Sequence, residues 1–165
     1  MCGICGIINK EYQPLPSINA FVEVMNKLIA HRGPDGEGAW IHPGKFLGFG
    51  HRRLSIIDLS TGDQPMRDPY GNWVTYNGEI YNYIELRKEL GIDQFTTTSD
   101  TEVILYAYRK WGKDCVKHFR GMFSFALWDE QKKQLFCARD RLGIKPFYYH
   151  QNGVDFYFAS EVKAL

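Results

Sequence analysis

The chain has 165 residues, of which 44% are apolar and 15% aromatic, and its 20 basic and 19 acidic residues leave a formal net charge of +1. That length suits one domain with a core of its own, and that apolar content excludes a largely disordered chain. The charge balance speaks against nucleic-acid and membrane-surface partners, and no apolar run is long enough to span a bilayer.

In chain order, residues 3–9 read as a short buried strand, Ile-rich and bounded by Gly3. The apolar stretch at the N-terminus is too short for a signal peptide and has no basic residue before it, so a cytoplasmic location is expected. Residues 17–30 read as an amphipathic helix, with Ser17 as its cap and Phe21, Val24, Met25, Leu28 and Ile29 recurring at helical spacing. Residues 31–38, dense in Gly and Pro, make a loop. Strands are expected at 38–41, 46–51 and 53–58, a turn at 61–65, and a strand at 73–76 that runs into Asn77-Gly78. A helix over about 80–90 follows. A second begins near Ser99, which with Glu102 has the spacing of a capping box, and ends by Gly112. Residues 122–129 and 134–140 read as a strand pair, with two more short strands at 146–150 and 155–160. Strands at both ends with helices between them point to an α+β or layered α/β fold.

Cys2 follows the initiator Met. If Met1 is trimmed, one residue carries both a thiol and a free α-amine. The thiolate is the nucleophilic form, and an ordinary α-amine, with a pKa of about 7.7–8.0, can serve as its base near neutral pH. The structural alternative is a small residue buried at a strand start. Cys2 and Cys5 also make a C-x-x-C. The Ile-rich run around them favours a strand over the helix N-terminus a redox motif uses, and Cys115 and Cys137 stand too far apart to complete a zinc site, so no metal is expected. Asn77-Gly78 is open to two readings. It is a common hairpin turn. Placed at a strand-to-helix junction, its side-chain amide and Gly N–H would make an oxyanion-hole pair. Arg53 reads either as a surface cation or as a carboxylate clamp, and Asp100 as a helix-start residue or a binding acid. His31 and His51 have no spacing that recommends either as a partner base.

Six blocks stand in a recognisable order: Met1-Cys2-Gly3-Ile4-Cys5-Gly6, His31-Arg32-Gly33-Pro34-Asp35-Gly36, Arg53-Leu54-Ser55-Ile56-Ile57-Asp58, Tyr76-Asn77-Gly78-Glu79-Ile80-Tyr81-Asn82, Ser99-Asp100-Thr101-Glu102-Val103 and Asp140-Arg141-Leu142-Gly143-Ile144-Lys145-Pro146. With them the whole chain resembles the glutaminase domain of the class II glutamine amidotransferases, which are N-terminal-nucleophile hydrolases. The HRGPD form resembles the asparagine synthetase branch.

The resemblance implies a four-layer αββα sandwich over residues 1–165, with Cys2 at the end of a central strand. It implies that Cys2 attacks the glutamine carboxamide to give a thioester, while its α-amine shuttles the proton. Asn77 and the Gly78 N–H would hold the oxyanion. Arg53 would grip the α-carboxylate, Asp100 and Glu79 would meet the α-ammonium, and the Ile57 backbone would line the pocket. In the family a segment like 160–165 leads into an ATP-using synthetase domain that these residues do not include. The domain itself is expected to need no cofactor, with ATP and Mg²⁺ serving only the synthetase half. Expected partners are glutamine, that synthetase domain and, as a candidate assembly, a second copy in a homodimer. Relatives amidate cell-surface sugars, peptides or antibiotic precursors, which is the alternative to asparagine synthesis. A chain that kept Met1 would instead be a non-catalytic docking module.

Overall fold

The computed structural model describes residues 1–54, 61–91, 93 and 95–165. Among them the elements run β1 (Gly3–Asn9), α1 (Ile18–Leu28), β2 (Gly36–Ile41), β3 (Leu47–Arg53), β4 (Met66–Arg67), β5 (Trp73–Ile80), α2 (Tyr83–Leu90), α3 (Asp100–Trp111), β6 (Gly121–Asp129), β7 (Gln134–Arg139), β8 (Tyr148–Asn152) and β9 (Asp155–Ala159). They gather into two compact units, Met1–Leu54 with Pro146–Leu165, and Ser55–Lys145.

The first unit is an antiparallel sheet in the order β2-β3-β1-β9-β8. Its middle strand β1 is buried at every position, as its unbroken apolar run foretells. It pairs with β3 from Gly3↔Arg52 to Ile8↔Leu47 and with β9 from Cys5↔Ala159 to Asn9↔Asp155. Two ladders therefore hold the strand that Cys2 immediately precedes.

The helix α1 packs on β1 and β3 through Ile18, Val22 and Met25, with Ile29 just beyond its end. This stripe differs from the expected one. Met25 and Ile29 belong to both, but Phe21, Val24 and Leu28 are 51%, 54% and 41% exposed. Apolar residues cover more than one face of α1, and the sheet takes only the face that begins at Ile18. Ser17 does occupy the N-cap position, yet its backbone is left-handed (φ 58°) and its side chain makes no capping bond.

The second unit is an antiparallel sheet in the order β4-β5-β6-β7. Val74, Tyr76 and Ile80 of β5, Phe123, Phe125 and Leu127 of β6 and Val103, Ile104 and Leu105 of α3 form its core, closed by Leu86 and Leu90 of α2. Each large aliphatic side chain buried there contributes about 1.5–3 kcal/mol. Each unit thus has one antiparallel sheet covered by helix, in keeping with the expected α+β class.

Three local expectations change in this unit. First, β5 does not stop before Asn77-Gly78. It runs to Ile80 in register with β6, Asn77 opposite Ser124 and Gly78 opposite Phe123, and α2 begins only at Tyr83. The pair is therefore neither a hairpin turn nor a strand-to-helix junction. Pairing with a partner strand some 45 residues away overrides the local Asn-Gly preference. Second, Ser99 caps α3 by accepting from the Thr101 N–H at 3.1 Å, but Glu102 does not close a capping box. Its carboxylate is taken by the N–H and hydroxyl groups of Thr96 and Thr97, and the Thr97 oxygen accepts from the Ser99 N–H at 3.2 Å. The second half of the box is thereby relayed through a threonine. Third, the two-residue strand β4 has no counterpart in the sequence reading. Of the strand expected at 53–58, Arg53 closes β3 and residues 55–58 lie outside the described residues.

Candidate active site

In the first unit, Cys2 sits one residue ahead of β1 and is half-buried. Its Sγ accepts from the Leu54 N–H at 3.3 Å and lies 3.5 Å from the Leu54 carbonyl oxygen. The amide can bond sulfur in either protonation state, whereas the carbonyl can only receive the thiol proton. Leu54 follows Arg53, the last residue of β3, so the strand that pairs with β1 brings the Leu54 backbone to the sulfur. The loop after α1 is laid against the same strand end. The Asp35 N–H donates to the Arg53 carbonyl at 3.0 Å, and a Cβ on Gly33 would lie 2.4 Å from the Arg52 carbonyl carbon and the Arg53 nitrogen. Only glycine permits that approach, which gives the Gly of the His-Arg-Gly-Pro-Asp block a physical reason.

The backbone of Cys2 is held as well. The Arg32 Nε–H donates to the Cys2 carbonyl at 3.0 Å, and Arg32 Nη1 meets Glu161 Oε1 at 3.1 Å. His31 Nε2 lies 2.8 Å from that same oxygen, and Lys163 Nζ is 3.2 Å from Oε2. Partial burial raises the Glu161 pKa, but the bonds from Arg32, His31 and Lys163 outweigh it and bring the carboxyl down to about 2. His31 is thus bound up with Glu161, and His51 is a buried ladder partner of Ile4.

The other cysteines are unlike Cys2. Cys5 faces α1, its Sγ donating to Asn26 Oδ1 at 3.4 Å, and burial pushes its thiol up to about 12. Burial also takes Cys115 and Cys137 to about 12. All four are free thiols, and Cys2 and Cys5 engage different partners, so the C-x-x-C is not a dithiol pair. No group of three or more potential metal ligands occurs among the described residues.

In the second unit, β5 carries Asn77, Gly78 and Glu79 in succession. A Cβ on Gly78 would lie 2.3 Å from the Met122 carbonyl oxygen and 2.7 Å from Phe123 Cα, so β6 comes too close for any side chain there. Asn77 is buried, and its Nδ2 finds no hydrogen-bond partner among the described residues. An unpaired buried amide donor is rare enough in native proteins to call for an explanation, and an acceptor that forms during a reaction is one.

Asp100 opens α3 and is buried. Its Oδ2 accepts from the Tyr76 hydroxyl at 2.7 Å and from the Ile80 N–H at 2.9 Å, which ties the helix start to the stretch of β5 that contains Asn77–Glu79. Burial raises its pKa, the two bonds oppose that, and the Glu79 charge adds to the rise. Negative charge near a buried acid is an environment that attracts a cation.

The first unit therefore holds Cys2 against the backbone of Leu54, next in sequence to Arg53, and the second carries Asn77, Gly78, Glu79 and Asp100 on β5 and the start of α3. Ile57 lies outside the described residues. The sequence reading assigned nothing to Leu54, Arg32 or Glu161. Leu54 acts through its backbone and leaves no side-chain signal. Arg32 stands in a block already singled out for its form, but its target is a main-chain carbonyl 30 residues away.

The whole chain, residues 1–165, matches the family model described as glutamine amidotransferase domain. The chain belongs to that family.

As a glutamine amidotransferase domain it is similar to asparagine synthetases. It is 46% identical to the glutamine-hydrolysing asparagine synthetase 3 of Bacillus subtilis, over 100% of this chain and 27% of that protein. It is 41% identical to an amidase of Gibberella zeae, over 100% of this chain and 26% of the relative. The chain thus spans about a quarter of the length of these curated relatives. Among solved structures, the glutamine phosphoribosylpyrophosphate amidotransferase of B. subtilis superposes with a TM-score of 0.80 over 99% of this chain and 42% of that one, at 20% identity. This amidotransferase domain has that fold. No described helix is long and apolar enough to cross a membrane.

Proposed function

We propose that this chain hydrolyses glutamine to glutamate and ammonia, with Cys2 as nucleophile after removal of Met1. The observation that carries the reading is the contrast among the thiols. Cys5 and Cys115 are buried and Cys137 lies within β7, while Cys2 is half-exposed just ahead of β1 with an N–H on its sulfur. Sγ attacks the side-chain carboxamide carbon and its proton passes to the α-amine, which hands it to the departing ammonia. Water then cleaves the thioester, giving glutamate and restoring the thiol. Asn77 Nδ2 and the Gly78 N–H stabilise the oxyanion, Arg53 takes the α-carboxylate, and Asp100 with Glu79 takes the α-ammonium. No cofactor enters these steps.

The ammonia acceptor is aspartate, used by an ATP- and Mg²⁺-dependent synthetase domain. The asparagine synthetase relatives support this, and the amidase relative is the reason to test other acceptors. Residues 1–165 act as one glutaminase domain in this reading, and their free thiols suit a reducing cytoplasm.

The test is ammonia release from glutamine without ATP or Mg²⁺, compared between the Met1-free chain and a chain with one extra residue fixed before Cys2. The blocked chain should fold and be inactive. Equal rates would show that the α-amine is not the base. Cys2→Ala should be inactive and Cys5→Ala active, and equal loss in two folded variants would overturn Cys2 as the nucleophile.

A further inference from the structure

The Cys2 carbonyl is one bond from the Cα that carries both the thiol and the amine. That residue lies outside the β1 ladder proper, so pairing alone does not fix it. Among the described residues, the Leu54 backbone on the sulfur and the Arg32 Nε–H on the carbonyl do. The Arg32 stem also lies along the first strand residue, for a Cβ on Gly3 would meet Arg32 Cδ at 3.2 Å. A long cation with many rotamers holds such a pose only if its far end is anchored. The anchor is Glu161, delivered to this place by the end of β9. There the Ser160 N–H donates to the Ile4 carbonyl at 2.8 Å, and the Ser160 hydroxyl oxygen accepts from the Ile4 N–H at 3.0 Å. Arg32 and Glu161 are well covered, with side chains 11% and 24% exposed, so the pair is not a loose surface contact.

We propose that Glu161 is a positioning residue for the glutaminase reaction. It holds Arg32 against the Cys2 carbonyl and so sets the direction of the thiol and the α-amine. It touches no reacting atom and acts only through Arg32. This rests on the assignment of Cys2 as nucleophile. His31 and Lys163 share the carboxylate but do not reach Cys2 through it, so they are bystanders in this role.

The test uses the Met1-free chain and measures kcat and KM for glutamine well below each variant's unfolding midpoint. Misplacing a reacting group by about 1 Å costs on the order of a hundredfold, so Glu161→Ala should lower kcat by roughly ten- to a hundredfold with KM within about twofold. Glu161→Gln, which can still accept from Arg32 but has lost its charge, should recover part of that loss. It also serves as the test variant if the alanine variant does not fold. Lys163→Ala should leave kcat unchanged. In an Arg32→Ala background, Glu161→Ala should add less than about twofold, because the link it works through is already gone. An unchanged kcat in either Glu161 variant would overturn the proposal, as would equal changes in kcat and KM or full additivity with Arg32→Ala. An inactive parent chain would instead count against Cys2 hydrolysis itself, which keeps the two failures apart.

Discussion

Replacing Asn77 by Ala should separate activity from stability, because the Asn77 amide donor is buried without a partner among the described residues. A buried unsatisfied donor costs about 1–3 kcal/mol, and that penalty disappears with the amide. Against it stands a cavity of roughly 50 Å³, worth about 1 kcal/mol at about 24 cal/mol per Å³. The net expectation runs from no change to a gain of about 2 kcal/mol. In a chain of this length that is a rise of at most roughly 4–8 °C in the unfolding midpoint. The rate should move the other way, since losing one oxyanion donor costs about 10²–10³ in kcat. Asn26→Ala is the control. That buried amide is used at both ends, accepting from Cys5 Sγ at 3.4 Å and donating to the Gly38 carbonyl at 2.9 Å. Its loss should cost about 2–4 kcal/mol with little effect on kcat in the folded fraction. Thermal unfolding by circular dichroism and a coupled ammonia assay read both quantities. If Asn77→Ala proved as destabilised as Asn26→Ala, with kcat reduced no more than its folded fraction, the amide would be a structural group and the oxyanion assignment would fail.

Two more outcomes follow from the carboxylates. Asp100→Asn should lower kcat/KM for glutamine by about ten- to a hundredfold, chiefly through KM, and by much less for an analogue without the α-amine. Because burial raises the Asp100 pKa, the folded state binds its proton more tightly than the unfolded chain, and stability falls as pH rises from about 4 toward the folded value. Asp100→Asn should therefore be no less stable at neutral pH. A large loss of stability, or equal harm with both substrates, would make Asp100 a structural acid. Asp140 is the opposite case. Its carboxylate accepts from the N–H groups of Phe123, Leu142, Ile144 and Lys145, and although burial opposes them these bonds lower its pKa. Its contribution is present above the unfolded value of about 4 and is lost as pH falls through the folded one. Asp140→Asn should cost about 3 kcal/mol at neutral pH, with the gap closing in acid, and a gap independent of pH would refute the charge-based account.

By itself the sequence determined what is local in the chain. The Ile-rich run of β1, the Ser99 cap and most strand and helix positions are written in residues within a turn or two of one another. The six ordered blocks named the family before any geometry was known, and they carried Cys2, Arg53, Asn77, Gly78 and Asp100 with them. Only the tertiary structure decided what depends on distant partners. The ladder to β6 carried β5 straight through Asn77-Gly78. The sheet under α1 chose Ile18 and Val22 over Phe21 and Val24. The clamp on Cys2 joins residues 2, 32 and 161, and the last two are 129 apart in sequence. A periodicity or a cap is set by neighbours that the backbone already holds close. A strand partner, a buried helix face or an arginine on a far carbonyl is fixed only when folding brings separate segments together and burial selects among the contacts they offer.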